Sequence, residues 1–209
     1  QAERLPRRTA KKIDAIVDRL MEDGIVPAVS VAVGRNGELV WARSYGTADL
    51  ENGTPAITET KFRTASIDKW MTATAAMHLV ERGQLDLDED VRTYCPAYPK
   101  KRWTIPVKTL LNHTSGVRHY WGTLPTPNDP EAVAIRWKQI QQEGLMFSLR
   151  YEDRTKAIDP FKDDPLLTEP GTTYRYTSHG YRLLGCVLEG ASGTNYNDLM
   201  GTAIFSKAG

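Results

Sequence analysis

The sequence predicts an α+β fold in which a short antiparallel sheet precedes a mainly helical remainder. Residues 9–23 place apolar side chains at helical spacing and end at Gly24. Two apolar runs, 29–33 and 39–41, flank Asn36-Gly37, a dipeptide typical of a tight β-hairpin. Helix and strand are therefore predicted in separate parts of the chain, with the first helix packed on the sheet.

Four later segments have helical patterns. Residues 66–82 carry few charges and are apolar nearly all round, which predicts a helix buried at the centre of the molecule. A short helix is expected over 107–111, a longer one over 181–192 that ends at Gly193, and a last one over 195–205.

Two stretches lack a clear core pattern. Residues 46–61 are rich in turn-forming residues. Residues 121–168 contain five prolines and many charges around an expected helix at 130–142, which favours a surface insertion. Since a two-stranded hairpin is marginal alone, either further strands lie within the chain or the sheet is completed from outside it.

Composition excludes several classes of protein. The 209 residues are 40% hydrophobic and 25% charged, enough to form a core without a metal or a disulfide. A net charge of +1 gives no indication of nucleic-acid binding, and no apolar run is long enough to span a membrane. Cys95 and Cys186 form no CxxC motif; two buried thiols are the default interpretation, and one disulfide is the alternative if the protein is exported.

Ser66 and Lys69 form the only Ser-x-x-Lys motif in the chain. Positions i and i+3 share a helix face, so the hydroxyl and the amine can meet. A serine at a helix start also lies beside free backbone N–H groups that can stabilise an oxyanion. Lysine acts as a base only when its pKa is depressed, and burial beside apolar residues is one cause. The alternative is an N-cap serine and a surface lysine.

Tyr176 and Ser178 precede the helix expected at 181–192. A tyrosine followed two positions later by a small polar residue can bring a phenol and a hydroxyl to the same Ser/Lys pair, and the phenol can shuttle a proton. A structural turn is the alternative. The four histidines, His78, His113, His119 and His179, have no metal-ligand spacing, and no Gly-x-Ser-x-Gly elbow occurs. We therefore predict neither a metal nor a cofactor.

Four blocks resemble the family of serine β-lactamases and penicillin-binding proteins, which includes class C β-lactamases, DD-peptidases and esterases. They are FRTASIDK at 62–69, GQLDLDEDV at 83–91, LLNHTSG at 110–116 and YTSHGYRLLG at 176–185. The segments GVRHY at 116–120 and FKDDPL at 161–166, with the long insertion, are most similar to the mitochondrial β-lactamase-like serine protease branch and its bacterial relatives.

The resemblance implies an antiparallel sheet flanked by helices plus an all-helical subdomain, with the site between them. It implies that Ser66 forms an acyl-enzyme and offers its N–H to the oxyanion, that Lys69 is the base, and that Tyr176 passes a proton to the leaving group. It further implies that Ser178 is a supporting residue and that His119 and Tyr120 border the substrate pocket.

The sequence also departs from the family pattern. Ser178 stands where the family usually has Asn, and Asp68 beside Lys69 is uncommon and could oppose its role as a base. Lys207-Ala208-Gly209 imitates the family's third motif but aligns better with a helix end. We therefore expect a domain incomplete at its C-terminus, divided into 1–65 (helix and first hairpin), 66–168 (nucleophile helix and insertion) and 169–209 (tyrosine motif and return helices).

The predicted function is hydrolysis of an ester or amide by an esterase, peptidase or β-lactamase, with a small-molecule or peptide acyl substrate. A C-terminal companion polypeptide, or a part absent from this chain, would complete the active enzyme. The alternatives are a non-catalytic acyl-binding sensor or a self-assembling scaffold of the same fold. A homo-oligomer is compatible with each of these functions. The resemblance favours a periplasmic or secreted protein, with a mitochondrial one as the alternative.

Overall fold

The computed structural model describes residues 5–24, 26–120, 134 and 151–208. The chain divides into two compact units, Gln1–Arg63 and Thr64–Gly209. The first unit holds a helix and a small sheet, and the described part of the second is helical. The predicted α+β class, with an antiparallel sheet and flanking helices, is confirmed.

The sheet of the first unit is antiparallel, with the strand order β1-β2-β3. Strand β1 spans Ala28–Arg35 and strand β2 spans Glu38–Asp49, paired from Ala28 opposite Gly46 to Arg35 opposite Glu38. The turn residues Asn36 and Gly37 have φ values of 52° and 80°, as a type I′ hairpin turn requires. The predicted hairpin is confirmed.

Strand β2 extends further than the sequence indicated. It continues through part of the turn-rich stretch 46–61 and pairs with β3, Thr54–Pro55, which the sequence analysis did not identify. Gly46 explains why a turn-forming residue lies inside a strand. Its φ is 78°, and a Cβ there would lie 2.1 Å from the Pro27 carbonyl oxygen, so the close approach of the chain requires glycine.

Helix α1, Arg7–Met21, contacts strand β2 through polar groups. Asp14 accepts hydrogen bonds from Arg43 at 2.8 Å and from the Tyr45 hydroxyl at 2.6 Å. Of the apolar face predicted from the sequence, Val17 is buried, whereas Ile16 is 62% exposed. The helix was thus predicted correctly, but its apolar face is only partly covered.

The second unit packs around one central helix. Helix α6, Ser178–Ser192, is buried through Leu183, Leu184, Val187 and Leu188. The elements that contact it are α2 (Asp68–Glu81), α3 (Val91–Tyr94), α4 (Val107–Leu111), α5 (Arg154–Ala157) and α7 (Tyr196–Met200). The predicted short helix over 107–111 is confirmed. The last predicted helix is interrupted, because a π-helical turn, Gly201–Phe205, separates α7 from α8, Ser206–Ala208.

Helix α2 is buried on one face only, so the prediction of a helix buried on all sides was wrong. The buried residues, Thr72, Ala75, Ala76 and Leu79, follow the i, i+3, i+4, i+7 spacing of a single face. That face meets α6, α7 and the π-helical turn. Trp70, on another face, is 58% exposed.

The stretch predicted as a surface insertion contributes to the core. Most of it, including all of the expected helix at 130–142 except residue 134, lies outside the described residues. After helix α5, however, Ile158 and Phe161 are fully buried. The Phe161 ring stacks on that of His179 with centroids 4.4 Å apart. The many charges and prolines of the stretch predicted a surface location, and these few apolar positions gave no periodic pattern to oppose it.

Cys95 and Cys186 form a disulfide, so the default prediction of two thiols was wrong. Cys95 directly follows α3, Cys186 lies in α6, and their Cα atoms are 5.6 Å apart. Gly190 explains this proximity. A Cβ on Gly190 would lie 1.7 Å from the Tyr94 carbonyl oxygen, so α3 and α6 can touch only where this side chain is absent.

Candidate active site

Ser66 and Lys69 meet as their spacing predicted. Ser66 lies in a 3₁₀ turn, Ala65–Ile67, that leads directly into helix α2. Lys69 lies one turn later on the same face, and its Nζ donates a hydrogen bond to Ser66 Oγ at 3.2 Å. The serine hydroxyl therefore has an amine within reach at the start of a helix.

The backbone just before Ser66 is strained. Ala65 has a φ of 48°, in the left-handed region that residues with a Cβ rarely adopt. Such strain is often found at functional sites, where the surrounding structure maintains it. Here it fixes the direction in which the chain enters the Ser66 turn.

Tyr176 and Ser178 reach the same point from a second segment. Thr177, the N-cap of helix α6, is extended, with φ −145° and ψ 129°. Side chains two apart in an extended chain point to the same side. Tyr176 Oη accordingly donates a 2.7 Å hydrogen bond to Ser66 Oγ, and Ser178 Oγ accepts one from Lys69 Nζ at 3.3 Å.

The ammonium group of Lys69 lies among aromatic rings. Its Nζ is 4.9 Å from the centroid of the Tyr176 ring and 5.6 Å from that of Tyr181. Partial burial raises the pKa of Tyr176, but hydrogen bonds with Lys69 and Ser66 and the charge of Lys69 lower it, and the net direction is downward. A phenol with a lowered pKa exchanges its proton more readily near neutral pH.

His119 and Tyr120, predicted to border a pocket, occupy different positions. The His119 ring meets the Tyr176 ring edge-on, with centroids 5.5 Å apart, and its Nδ1 accepts a 3.3 Å hydrogen bond from the Ser178 N–H. Tyr120 packs against His119 and against His179 behind it. His119 therefore contacts the predicted catalytic segment, whereas Tyr120 contacts the rings of His119 and His179.

His113 is a site residue to which the sequence analysis gave no role. Its ring lies 4.5 Å from that of Tyr176, and its Nδ1 accepts a 3.2 Å hydrogen bond from the Thr177 N–H. The signal was present, because His113 belongs to the LLNHTSG block on which the resemblance rested. Its φ of 60° ends helix α4 and turns the ring toward Tyr176.

Burial and positive charge keep both imidazoles neutral. Burial lowers the pKa of His119 to about 4, and the charges of Lys69 and His113 act in the same direction. Burial also lowers the pKa of His113, again with a contribution from Lys69, while the hydrogen bond from Thr177 acts weakly in the opposite direction. Both rings are therefore available as hydrogen-bond acceptors at neutral pH.

Asp68 does not pair with the neighbouring lysine. Its carboxylate accepts a hydrogen bond from the Thr64 hydroxyl one turn earlier. This hydrogen bond orients the carboxylate but leaves it charged, so Asp68 still acts on Lys69 electrostatically without a direct ion pair.

The described residues contain no alternative metal centre. Within residues 5–120 and 151–208, no three His, Cys, Asp or Glu side chains are grouped as ligands of one ion would be. No helix in the part of the chain that the structure describes has the length and apolar character needed to cross a membrane.

Comparison with known sequences identifies relatives of the kind that the motifs indicated. The mouse serine β-lactamase-like protein LACTB, mitochondrial, is 29% identical over 240 residues, which cover 88% of this chain and 44% of that protein. Penicillin-binding protein 4* of Bacillus subtilis is 30% identical over 183 residues, covering 86% of this chain and 36% of that protein. The chain thus spans less than half the length of these curated relatives.

Solved structures with the same fold include a hydrolase and an oligomer. EstCE1, described as a hydrolase with promiscuous acyltransferase activity, superposes with a TM-score of 0.75 at 25% identity, over 95% of this chain and 51% of that one. The octameric penicillin-binding protein homologue from Pyrococcus abyssi also gives 0.75, at 26% identity, over 94% of this chain and 42% of that one.

The family model described as Beta-lactamase matches residues 13–209, nearly the whole chain. With the Ser66, Lys69 and Tyr176 cluster and the shared fold, this match shows that the chain belongs to the β-lactamase family, whose members include serine hydrolases and penicillin-binding proteins.

Proposed function

We propose that the protein is a serine hydrolase that cleaves an ester or amide through an acyl-enzyme on Ser66. One observation carries the proposal: Ser66 Oγ accepts hydrogen bonds from both Lys69 Nζ and Tyr176 Oη. A serine hydroxyl is a weak nucleophile until a neighbouring group removes its proton, and two proton-exchanging groups lie within reach of this one.

In the acylation step, Lys69 acts after it has lost its ammonium proton to solvent: Ser66 Oγ attacks the carbonyl carbon while its own proton passes to the free amine. The oxygen of the tetrahedral intermediate develops negative charge beside the Ser66 N–H at the start of helix α2. Collapse breaks the bond to the alcohol or amine, and Tyr176 gives that leaving group its proton. The proton on Lys69 then returns to the tyrosine.

In the deacylation step, Tyr176 first passes its proton to Lys69, and the resulting phenolate takes a proton from the water that attacks the acyl carbon. Ser66 Oγ leaves and takes up a proton through Lys69, which restores the starting state. Ser178 Oγ, 3.3 Å from Lys69 Nζ, holds the amine in place through both steps. These roles use microscopic reversibility, since the group that donates a proton in one step accepts it in the next.

Within this reaction class, Ser178 favours an esterase or peptidase over a true β-lactamase. The family usually has Asn at this position, and an amide side chain offers both a donor and an acceptor to a substrate, whereas the shorter hydroxyl of Ser178 contacts Lys69. The relationship to a hydrolase with acyltransferase activity supports an acyl substrate.

We further propose that the protein functions in an oxidising compartment, periplasmic or extracellular. The Cys95–Cys186 disulfide supports this location, because thiols remain reduced in most cytosolic proteins. The mitochondrial location of the LACTB relatives is the competing proposal.

Denaturing mass spectrometry after exposure to a fluorophosphonate probe tests the function. Wild-type protein should gain one adduct, Ser66→Ala should gain none, and Ser206→Ala, an exposed serine of helix α8, should label like the wild type. Equal labelling of Ser66→Ala would refute the proposal. The same spectrum reports any companion polypeptide, which stays a prediction.

Turnover separates the hydrolase from its alternatives. Release of product from a p-nitrophenyl ester, with recovery of unmodified mass, would support the hydrolase. A lasting acyl adduct, formed with release of one equivalent of p-nitrophenol and no further turnover, would support a sensor. No adduct, together with large particles in light scattering, would support the scaffold, a state for which the octameric relative is a precedent.

A further inference from the structure

We infer that His113 and His119 are positioning residues that hold Tyr176 and Ser178 against Ser66 and Lys69 by accepting the backbone N–H groups between them. The inference rests on the proposed function, because it concerns the geometry of the same site. It gives His119 a positioning role, whereas its place at the border of the substrate pocket, implied by the resemblance, stays a prediction.

The two imidazoles bind consecutive residues of one extended segment. The Thr177 N–H donates to His113 Nδ1 at 3.2 Å, and the Ser178 N–H donates to His119 Nδ1 at 3.3 Å. Successive N–H groups of an extended chain point in opposite directions. The segment is therefore held from both sides, and neither histidine can replace the other.

The loop of residues 113–119, which carries both histidines, forms two further hydrogen bonds with the same segment. The Arg175 N–H donates to the His113 carbonyl oxygen at 2.8 Å, and the Thr177 hydroxyl donates to the Arg118 carbonyl oxygen at 2.8 Å. Residues 113–119 thus form hydrogen bonds with the segment that carries Tyr176 and Ser178. The side chains of those two residues contact Ser66 and Lys69. A shift of this backbone would move both contacts together.

Each histidine can accept these bonds in one protonation state only. An Nδ1 that accepts a hydrogen bond carries no proton, so each ring is neutral with its proton on Nε2. Protonation of Nδ1 would place an N–H against a backbone N–H and release the segment. The surroundings oppose that event, since burial and the charge of Lys69 lower the pKa of both imidazoles.

Among the residues that the structure describes, the groups that face the two rings provide no compensating anion. They are Lys69 of α2, Tyr174 and Tyr176 of the second segment, Tyr181 and His179 of α6, and the neighbouring Tyr120. The inferred role of the two histidines therefore depends on the hydrogen bonds that they accept from Thr177 and Ser178 and not on an ion pair.

Asparagine and leucine substitutions distinguish positioning from packing. The Asn Oδ1 can occupy roughly the place of Nδ1 and accept the same N–H, and it does not titrate in the working pH range. Leucine fills similar space and accepts nothing. His113→Asn and His119→Asn are therefore to be compared with His113→Leu and His119→Leu in the full-length protein, with His78→Asn on helix α2 as the control.

The first measurement is amide hydrogen exchange by NMR, which needs no activity. Exchange at Ser178 should be roughly two- to tenfold faster in His119→Leu than in the wild type, and close to the wild type in His119→Asn. His113→Leu should have the same effect at Thr177. Equal exchange in the Asn and Leu variants would overturn the inference, as would no change in either Leu variant.

The second measurement is the rate at which the fluorophosphonate probe phosphonylates Ser66, with loss of fluoride, between pH 4 and 8. His119→Leu should react at least tenfold more slowly, and His119→Asn should recover most of the rate and lose less of it below about pH 5. Wild-type rates in both Leu variants would overturn the positioning role. Absence of Ser66 labelling in every protein, with the exchange differences intact, would instead refute the hydrolase proposal.

Discussion

Tyr176 Oη donates a 2.7 Å hydrogen bond to Ser66 Oγ, although 110 residues of sequence separate the two side chains. Their meeting depends on two unrelated local structures, the turn before helix α2 and the extended lead into helix α6. Lys69 bridges the two, since its Nζ contacts Ser66 and Ser178. The site thus forms only when the second unit is folded.

Tyr176→Phe tests the role of the phenol. The variant keeps the ring against His113 and Lys69 but removes the phenol that, in the proposed mechanism, protonates the leaving group and takes a proton from the deacylating water. The p-nitrophenolate leaving group needs no proton, so this substrate reports mainly on the deacylation role. We expect turnover of a p-nitrophenyl ester to fall about 100-fold or more, as measured for general acid–base groups. The rate of product release, followed by absorbance, provides the measurement.

Tyr174→Phe is the matched control. Tyr174 lies two residues earlier, is 66% exposed and also packs its ring near His113. Loss of its hydroxyl should leave turnover within about twofold of the wild type, as for a surface change without contact to the reacting atoms. A similar loss of rate in both variants would mean that the Tyr176 hydroxyl has no special role.

Removal of the disulfide should destabilise the second unit. Cys95 and Cys186 close a loop with a sequence separation of 91 residues. Cross-links of that span typically contribute about 2 to 5 kcal/mol by restricting the unfolded chain. Cys95→Ala/Cys186→Ala should therefore lose free energy of unfolding in this range, measured by urea denaturation.

A reducing agent separates the covalent bond from the packing of the two sulfur atoms. Reductant should lower the urea midpoint of the wild type and leave that of the double alanine variant unchanged. Identical midpoints for oxidised and reduced wild type would contradict a stabilising disulfide.

Gly190→Ala should force helices α3 and α6 apart. A Cβ at this position would lie 1.7 Å from the Tyr94 carbonyl oxygen, and backbone offers little room to yield. Overpacking of this kind costs about 1–3 kcal/mol or more. Gly201→Ala is the control, because it has φ −55° and no atom within 4 Å of the added Cβ.

Denaturation midpoints of the two glycine variants give the comparison. Gly201→Ala should be neutral or stabilising by up to about 1 kcal/mol, since alanine restricts the unfolded chain and favours helix. Equal changes in the two variants would show that the contact between Gly190 and Tyr94 does not limit the approach of α3 to α6.

The features that the sequence predicted well depend on local physics. Asn36-Gly37 determines a hairpin turn by its own backbone preferences, and Ser66 and Lys69 meet because of helical spacing alone. To predict that Tyr176 and Ser178 point to the same side, one further assumption was needed, namely that the backbone between them is extended.

The features that were missed depend on partners distant in sequence. The hydrogen bonds from the Thr177 and Ser178 N–H groups to His113 and His119 become apparent only when the loop after α4 lies beside the segment that leads into α6. The one-sided burial of α2 and the disulfide depend likewise on which helices become neighbours, as at Gly190. Periodicity identifies a face that can be buried but not how much of the helix other elements cover.

We expect His179 to make the stability of the second unit dependent on pH. The ring is fully buried between Phe161 and Tyr120, and neither nitrogen has a hydrogen bond of normal geometry to any residue that the structure describes. Burial, followed by the charges of Arg182 and Arg118, lowers its pKa to about 2, although the nearby Arg118 carbonyl acts weakly in the opposite direction.

The unfolded chain takes up a proton at His179 near the usual histidine pKa of 6.5, and the folded chain does so only near 2. Stability from this residue is therefore complete above pH 6.5 and falls by about 1.4 kcal/mol per pH unit as the pH decreases below it. His179→Phe and His179→Leu cannot titrate and leave no buried ring nitrogen. The free energy of unfolding, measured by urea denaturation between pH 4 and 7, should change less steeply with pH in both variants, by the equivalent of about one proton. Slopes equal to that of the wild type would mean that His179 takes up its proton as readily in the folded state as in the unfolded chain.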